Sequence, residues 1–226
     1  MENKPLKIIA ISDTHGQHRS LKVSKGDIII HTGDISKSGR SEEIIDFLDW
    51  FANLNFRYKI FIAGNHDFLF EKARKDVIEK MIPNGVTYLN DSGVEIEGVK
   101  IWGSPITPWF NDWAFNRDRG SEIKKHWDLI PDDTDILITH GPPFGILDET
   151  VYGKRTGCEE LLLRVSQVKP QYHIFGHIHE DYGSSTKGKT TFINASVLDD
   201  WYEMRNEPVE IITTSFFTSD ICPSLR

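Results

Sequence analysis

Five short apolar runs in this chain each end in metal-binding or proton-carrying side chains. That repeated arrangement limits the fold more than any other feature. Residues 7–12 (KIIAIS) run into Asp13-Thr14-His15, and 27–31 (DIIIH) lead to Gly33-Asp34. Residues 58–63 (YKIFIA) end in Gly64-Asn65-His66-Asp67, 135–139 (DILIT) in His140-Gly141, and 172–175 (YHIF) in Gly176-His177-Ile178-His179. Runs this short and apolar read as strands covered on both faces. In open α/β sheets the carboxyl ends of the strands are where ligands bind. The polar residues are therefore expected at one edge of a sheet.

The remaining segments fill in an α/β chain. Residues 41–53 place Ile44, Phe47, Leu48 and Phe51 at helical spacing, giving a helix with one core face. Residues 71–81 read as a polar, exposed helix, and another helix is expected near 122–129. Thr156-Gly157-Cys158-Glu159 has the form of a capping box that opens a helix to about Val168. Residues 86–106, punctuated by Gly93, Gly98 and Gly103, suggest short antiparallel strands and tight turns. Residues 190–193 and 209–213 read as closing strands, and partial mobility is expected of the tail after Thr213. With no repeat or linker, residues 1–226 are expected to form one α/β domain with a mixed sheet or two packed sheets.

Composition excludes several classes. Hydrophobic residues at 38% and charged residues at 27% are the balance of a globular chain. A net charge of −8 argues against long nucleic acid or an anionic membrane as partner. There is no apolar run long enough for a membrane span. The first seven residues lead into a strand pattern without an apolar signal core, so a cytoplasmic location is expected. Cys158 and Cys222 have neither CxxC nor zinc-finger spacing and are expected to be free thiols.

In Asp-x-His and His-x-His, residues i and i+2 of an extended chain point to the same side. Gly33, Gly64 and Gly176 permit tight turns and close backbone approach. Alone, Asp-x-His is as readily a capped turn, and a lone His140 more often a hydrogen-bonded buried histidine. All five motifs, each at a strand end, favour a metal centre. His18, His31, His126 and His173 stand outside the pattern and read as surface or supporting residues. Oxygen and nitrogen donors without thiolate suit manganese, iron, zinc, cobalt or nickel better than calcium or magnesium.

These motifs resemble those of the calcineurin-like metallophosphoesterase superfamily: D-x-H, G-D, G-N-H-[D/E], H, G-H-x-H. The resemblance spans residues 7 to about 200. It implies two mixed β-sheets packed as a sandwich flanked by helices, a four-layer α/β/β/α fold. Residues 104–116 (SPITPWFNDWAFN), 138–143 (ITHGPP), Gly157-Cys158 followed by Glu-Glu-Leu-Leu, and 192–196 (FINAS) are similar to the small metallophosphoesterase-domain-containing group of class III phosphodiesterases, which includes brain-expressed vertebrate proteins. Some members carry Gly where this chain has His177, so an intact His177 favours a full site. The resemblance implies two divalent ions, manganese first among the candidates. Asp13, His15, Asp34 and His179 would hold one, and Asp34, Asn65, His140 and His177 the other. A bridging hydroxide would be the nucleophile, and His66 would face the phosphate. Asp67 would orient His66 or a neighbour. Two dications against two carboxylates and one hydroxide leave a positive pocket in an acidic protein.

Residues 105–115 carry Trp109, Phe110, Trp113 and Phe115. They read as a packing loop, or as a wall on which a nucleobase stacks, with Trp109 and Phe110 as candidate pocket residues. Phosphoprotein phosphatases of this superfamily read G-D-x-x-D-R-G. Here residues 33–39 are GDISKSG, without the Asp-Arg, which disfavours that activity. The acidic balance disfavours a nuclease. The expected function is a binuclear-metal phosphodiesterase acting on small diesters such as cyclic nucleotides, with a nucleotide phosphomonoesterase as alternative. A third reading is a non-catalytic scaffold, as in the retromer subunit of this fold. A scaffold has no need of His66 and the seven candidate ligands together.

Overall fold

The computed structural model describes residues 5–213. The elements are β1 (Lys7–Ile11), β2 (Ile28–His31), α1 (Ser41–Asn53), β3 (Tyr58–Phe61), α2 (Phe68–Lys72), α3 (Lys75–Met81), β4 (Val86–Tyr88), β5 (Ser92–Ile96), β6 (Val99–Ser104), β7 (Thr107–Pro108), β8 (Asn116–Arg117), α4 (Ser121–Trp127), β9 (Ile136–Thr139), α5 (Glu159–Val168), β10 (Tyr172–Phe175), β11 (Gly183–Lys187), β12 (Thr190–Asn194) and β13 (Val209–Ile212).

Side-chain alternation along the strands builds the layers. Ile8, Ala10, Ile28, Ile30, Ile60 and Ile62 pack against Ile101, Ile136, Ile138, Ile174 and Ile193 in a core between two sheets. Their neighbours Ile9, Ile11, Ile29 and Phe61 point outward, into a core shared with Ile44, Phe47 and Phe51 of α1. On the other sheet Leu137, Phe175 and Phe192 join the core that holds Trp127 of α4 and Leu161 and Val165 of α5. Both faces are covered, which is why apolar residues fill most positions of these strands. Each fully buried branched side chain contributes about 1.5–3 kcal/mol.

One sheet has the order β13-β1-β2-β3-β4 and the other β11-β12-β10-β9-β6-β5. In the first, β1 to β4 run parallel, and β13 is antiparallel to β1. In the second, β12, β10, β9 and β6 run parallel between two antiparallel edges. The two sheets meet where β1 and β12 end, through a bridge between Ser12 and Ser196. The carboxyl ends of both parallel sets therefore open on one side.

Several local expectations are corrected. The exposed helix at 71–81 is two short helices, because Ala73 and Arg74 are extended between α2 and α3. Phe70 and Ile78 anchor them in the core. The Thr156 capping box does not form. The Thr156 hydroxyl bonds the Asp148 carbonyl, and α5 starts after an extended Cys158. In the 86–106 region only β5–β6 is an antiparallel hairpin, turning at Glu97 and Gly98 with φ of 50° and 82°. β4 lies parallel to β3, and β6 parallel to β9. Of the histidines expected at the surface or in support, His18, His31 and His173 are buried, which excludes the surface alternative for them, and His126 bonds Asp91 at 2.6 Å. Among the described residues no helix is long and apolar enough to cross a membrane. Cys158 is a buried free thiol, while Cys222 and the tail after Thr213 lie outside the described residues.

Candidate metal centre and active site

The backbone at the strand ends takes a conformation that side chains other than Gly rarely adopt. Asp13, His15, Asp34 and His177 have φ of 54°, 41°, 54° and 71°. Each such residue costs about 1–3 kcal/mol, and residues of this kind cluster at functional sites. The loops hold because neighbouring strands bond them. Asp13 N–H donates to the Gly33 carbonyl and His15 N–H to the Asp34 carbonyl, both at 3.0 Å. Glycine is required where the loops touch. A Cβ on Gly176 would lie 2.0 Å from Asp13 Oδ2, and one on Gly64 would lie 2.3 Å from Asp34 Oδ1.

The structure gathers the strand-end residues into three overlapping groups: Asp13, His15 and His179; His15, Asp34 and His66; and Asp34, His140 and His177. Each group's donor atoms lie within 4.8 Å of one another. Asn65 joins them through Oδ1, 2.8 Å from His140 Nε2. His15 Nε2 and His179 Nε2 are 3.4 Å apart.

Each carboxylate divides its two oxygens. Asp13 Oδ2 accepts the Ser196 hydroxyl at 2.8 Å and the His177 N–H at 3.0 Å, while buried Oδ1 has no hydrogen-bond partner. That oxygen lies 3.6 Å from His179 Nε2. Asp34 Oδ1 accepts the His66 N–H at 2.8 Å. Asp34 Oδ2 faces His140 Nε2 at 3.4 Å and His15 Nε2 at 3.7 Å, so one oxygen serves both sides. The imidazoles are oriented from behind. His140 Nδ1 bonds the Thr32 carbonyl and His179 Nδ1 the Asp199 carbonyl, which directs both Nε2 atoms inward. A buried carboxylate oxygen with no partner, aimed at converging imidazoles, fits divalent metal ions.

The ionisation of the metal-free cluster follows from burial and opposite charge. Burial disfavours the ionised forms of Asp13 and Asp34. The surrounding histidines outweigh it and hold both carboxyls below their usual range, through His179 at Asp13 and His140 at Asp34. Burial likewise opposes protonation of His140 and His179, yet Asp34 and Asp13 raise both to about 9. Burial wins at His15, lowered to about 4, and at His177, lowered to about 3.

His66 is arranged differently. Its Nδ1 lies 2.7 Å from the Lys37 carbonyl, its ring meets His15 edge-on at 4.6 Å, and Trp113 packs on it at 4.2 Å. Its Nε2 lies 3.9 Å from Asp34 Oδ2. The buried Asp67 carboxylate is taken by neighbouring loops, accepting from the N–H groups of Gly64, Ile35 and Ser36 and from the Ser36 hydroxyl. Burial, with the nearby Asp34 charge, pushes it up to about 6. Trp109 and Phe110 are 56% and 58% exposed, and the ring on His66 is Trp113 of the same loop.

Several site residues escaped the sequence reading. The Ser196 hydroxyl positions Asp13, and Asn194 accepts the Ser196 N–H and donates to the Ile178 carbonyl. Both lie at the end of β12, so the strand-end rule, extended to a sixth strand, finds them. His31, the last residue of β2, is one of the histidines expected at the surface or in support, and the structure gives it the supporting place. Tyr202, whose ring lies 5.0 Å from His15, follows no apolar run and left no signal.

The sequence pattern of the calcineurin-like phosphoesterases matches residues 6–181. The chain belongs to that family. As a metallophosphoesterase it is a metal-dependent hydrolase of phosphate esters, and its Asp/His groups are able to bind metal. Human metallophosphoesterase domain-containing protein 1 is 39% identical over 229 residues, covering 91% of this chain and 70% of the human one. The UPF0046 protein K07C11.7 of Caenorhabditis elegans is 39% identical over 217 residues, covering 90% and 74%. The crystal structure of TT1561 from Thermus thermophilus superposes with a TM-score of 0.55 at 14% identity, covering 84% of this chain and 89% of that one. It shares the metallophosphoesterase fold.

Proposed function

We propose that this metallophosphoesterase cleaves small phosphodiesters, cyclic nucleotides among them, at a two-metal centre. Asp13, His15, Asp34 and His179 would hold one ion, and Asp34, Asn65, His140 and His177 the other, with manganese the favoured metal. The observation that carries this reading is Asp34 Oδ2, a single oxygen facing His15 on one side and His140 on the other. Divalent ions there supply positive charge and an activated water.

The chain's own residues account for the remaining steps. Two carboxylates do not cancel two dications, so an anionic ester is attracted despite the net charge of −8. His66 stands beside the cluster, partly open to solvent, and protonates the departing oxygen. The Lys37 carbonyl and the Trp113 ring fix its orientation. Asp67 ties the loop bearing Asn65 and His66 to the loop after Asp34, which keeps donor and ligands in register. The net charge of −8 supports a small-molecule substrate rather than a long nucleic acid or an anionic membrane.

The test is a comparison of esters. Metal-stripped protein, reloaded with Mn²⁺, is assayed on bis-p-nitrophenyl phosphate and p-nitrophenyl phosphate, then on cyclic nucleotides. Faster diester than monoester cleavage is expected. Faster monoester cleavage would replace the reading with a phosphomonoesterase.

A further inference from the structure

Tyr202 reaches the Asp/His cluster from a loop that follows β12 rather than from one of the five strand ends. It sits in a left-handed conformation, φ 58°, which an aromatic residue rarely adopts. Backbone bonds enforce this. Tyr202 N–H donates to the Asp199 carbonyl at 2.9 Å, and Gln17 Nε2 donates to the Tyr202 carbonyl at 3.0 Å. Asp199 Oδ1 accepts the N–H groups of Trp201 and Glu203, closing the loop on both sides. The same Asp199 carbonyl takes His179 Nδ1.

The ring that this loop delivers lies over the cluster. Its centroid is 5.0 Å from His15 and 5.1 Å from His179, at interplanar angles of 64° and 57°. The residue as a whole is still 49% exposed. His15 also meets the His66 ring, which is backed by Trp113. Trp113, His66, His15 and Tyr202 are thus in successive ring contact beside Asp34, which faces both His15 and His66. A simple alkyl phosphate gains little from such walls, whereas a planar substituent stacks on them.

We propose that Tyr202 is a specificity-determining residue whose ring seats a planar aryl or nucleobase substituent of the phosphate ester. This deepens the phosphoesterase reading above and rests on it. The loop hydrogen bonds are made by backbone atoms and by Asp199 and Gln17, so Tyr202→Ala removes the wall without removing the bond that orients His179.

The test uses ligands that are not hydrolysed, so it does not depend on diester turnover. Binding of phenylphosphonate and methylphosphonate to the manganese-loaded protein is measured by calorimetry, after metal content has been matched. Wild type is expected to prefer the phenyl ligand about 2- to 10-fold, the worth of one aromatic pair. Tyr202→Ala should bring the two ligands near parity, and Tyr202→Phe should keep the preference. The proposal is overturned if wild type shows no preference or if Tyr202→Ala keeps it. It is equally overturned if Tyr202→Ala loses manganese or weakens both ligands alike, since the ring would then only support His179. Failure of the diester assay alone would strike the diesterase reading and leave this result standing.

Discussion

His31 Nε2 lies 3.0 Å from the Thr14 hydroxyl, buried beside the loops that carry Asp13 and Asp34. Its other nitrogen, Nδ1, accepts the Gly33 N–H at 3.3 Å, so the proton is on Nε2 and is donated to Thr14. One neutral imidazole thus ties the loop of Asp13 and His15 to the loop of Asp34. Burial, the largest influence on it, keeps it neutral by lowering its pKa to about 3.

His31→Leu removes both bonds and is expected to weaken manganese binding about 10- to 100-fold, the usual effect of losing a group that orients ligands. His31→Gln, with one acceptor and one donor, should recover much of it. Metal titration of the three proteins checks this. Equal affinity in wild type and His31→Leu would remove His31 from the support of the site.

Gly176→Ala should be severe, because its Cβ would lie 2.0 Å from Asp13 Oδ2 and 2.1 Å from Ser12 Oγ. Forcing atoms into such a site costs about 1–3 kcal/mol, and here the displaced atom belongs to a candidate ligand. Gly141→Ala, whose Cβ would meet ordinary contacts at 3.4 and 3.7 Å, should keep its metal. Urea denaturation and metal content of the two variants are the measurements.

The strand ends were legible in the sequence because periodicity and chemistry coincide there. Apolar runs ended at Asp13, Asp34, Asn65, His140 and His177, and the sheets brought those ends together. Strand direction was less legible. The pattern of Val86-Thr87-Tyr88 suits a strand but does not say that it pairs parallel to β3. Tyr202 and Trp113 reach the site from loops whose path is set by distant contacts, such as Ala114 N–H on the Asn65 carbonyl. Spacing along the chain carries no record of those. His173 is buried inside β10 with Nε2 on the Thr139 hydroxyl at 2.8 Å and Nδ1 without a hydrogen-bond partner, a placement that the strand pattern alone does not reveal.

Metal uptake should release protons. Burial works against protonation of His140 and His179, but Asp34 and Asp13 raise both to about 9, so both carry a proton in the metal-free protein at pH 7. A metal must displace those protons. Apparent affinity is therefore expected to rise with pH from 7 toward 9 and then to flatten. Calorimetry in two buffers of different ionisation heat, at pH 7 and above 9, counts the protons. Release that is absent at pH 7 would contradict the charged state of these imidazoles.

His173 should make the fold sensitive to acid. Burial lowers its pKa to about 3, below the ordinary 6.5 that applies once the chain unfolds. Between those values the unfolded chain binds a proton that the folded chain refuses. Stability is then full above pH 6.5 and falls as the pH drops toward 3, by up to about 1.4 kcal/mol per pH unit for this one residue. His173→Gln should show a shallower loss between pH 6.5 and 5 by urea denaturation. An unchanged slope would mean that His173 does not titrate in this way.

The most direct test of the account pairs metal content with turnover in His66→Ala. His66 Nε2 stands 3.9 Å from Asp34 Oδ2, close to the proposed ligands, and the proposal gives it the proton rather than a metal ion. Two manganese ions per chain should be retained while diester turnover falls about 10²- to 10⁴-fold, the worth of a positioned proton donor. A variant that keeps both ions and cleaves bis-p-nitrophenyl phosphate at the wild-type rate would contradict the central claim.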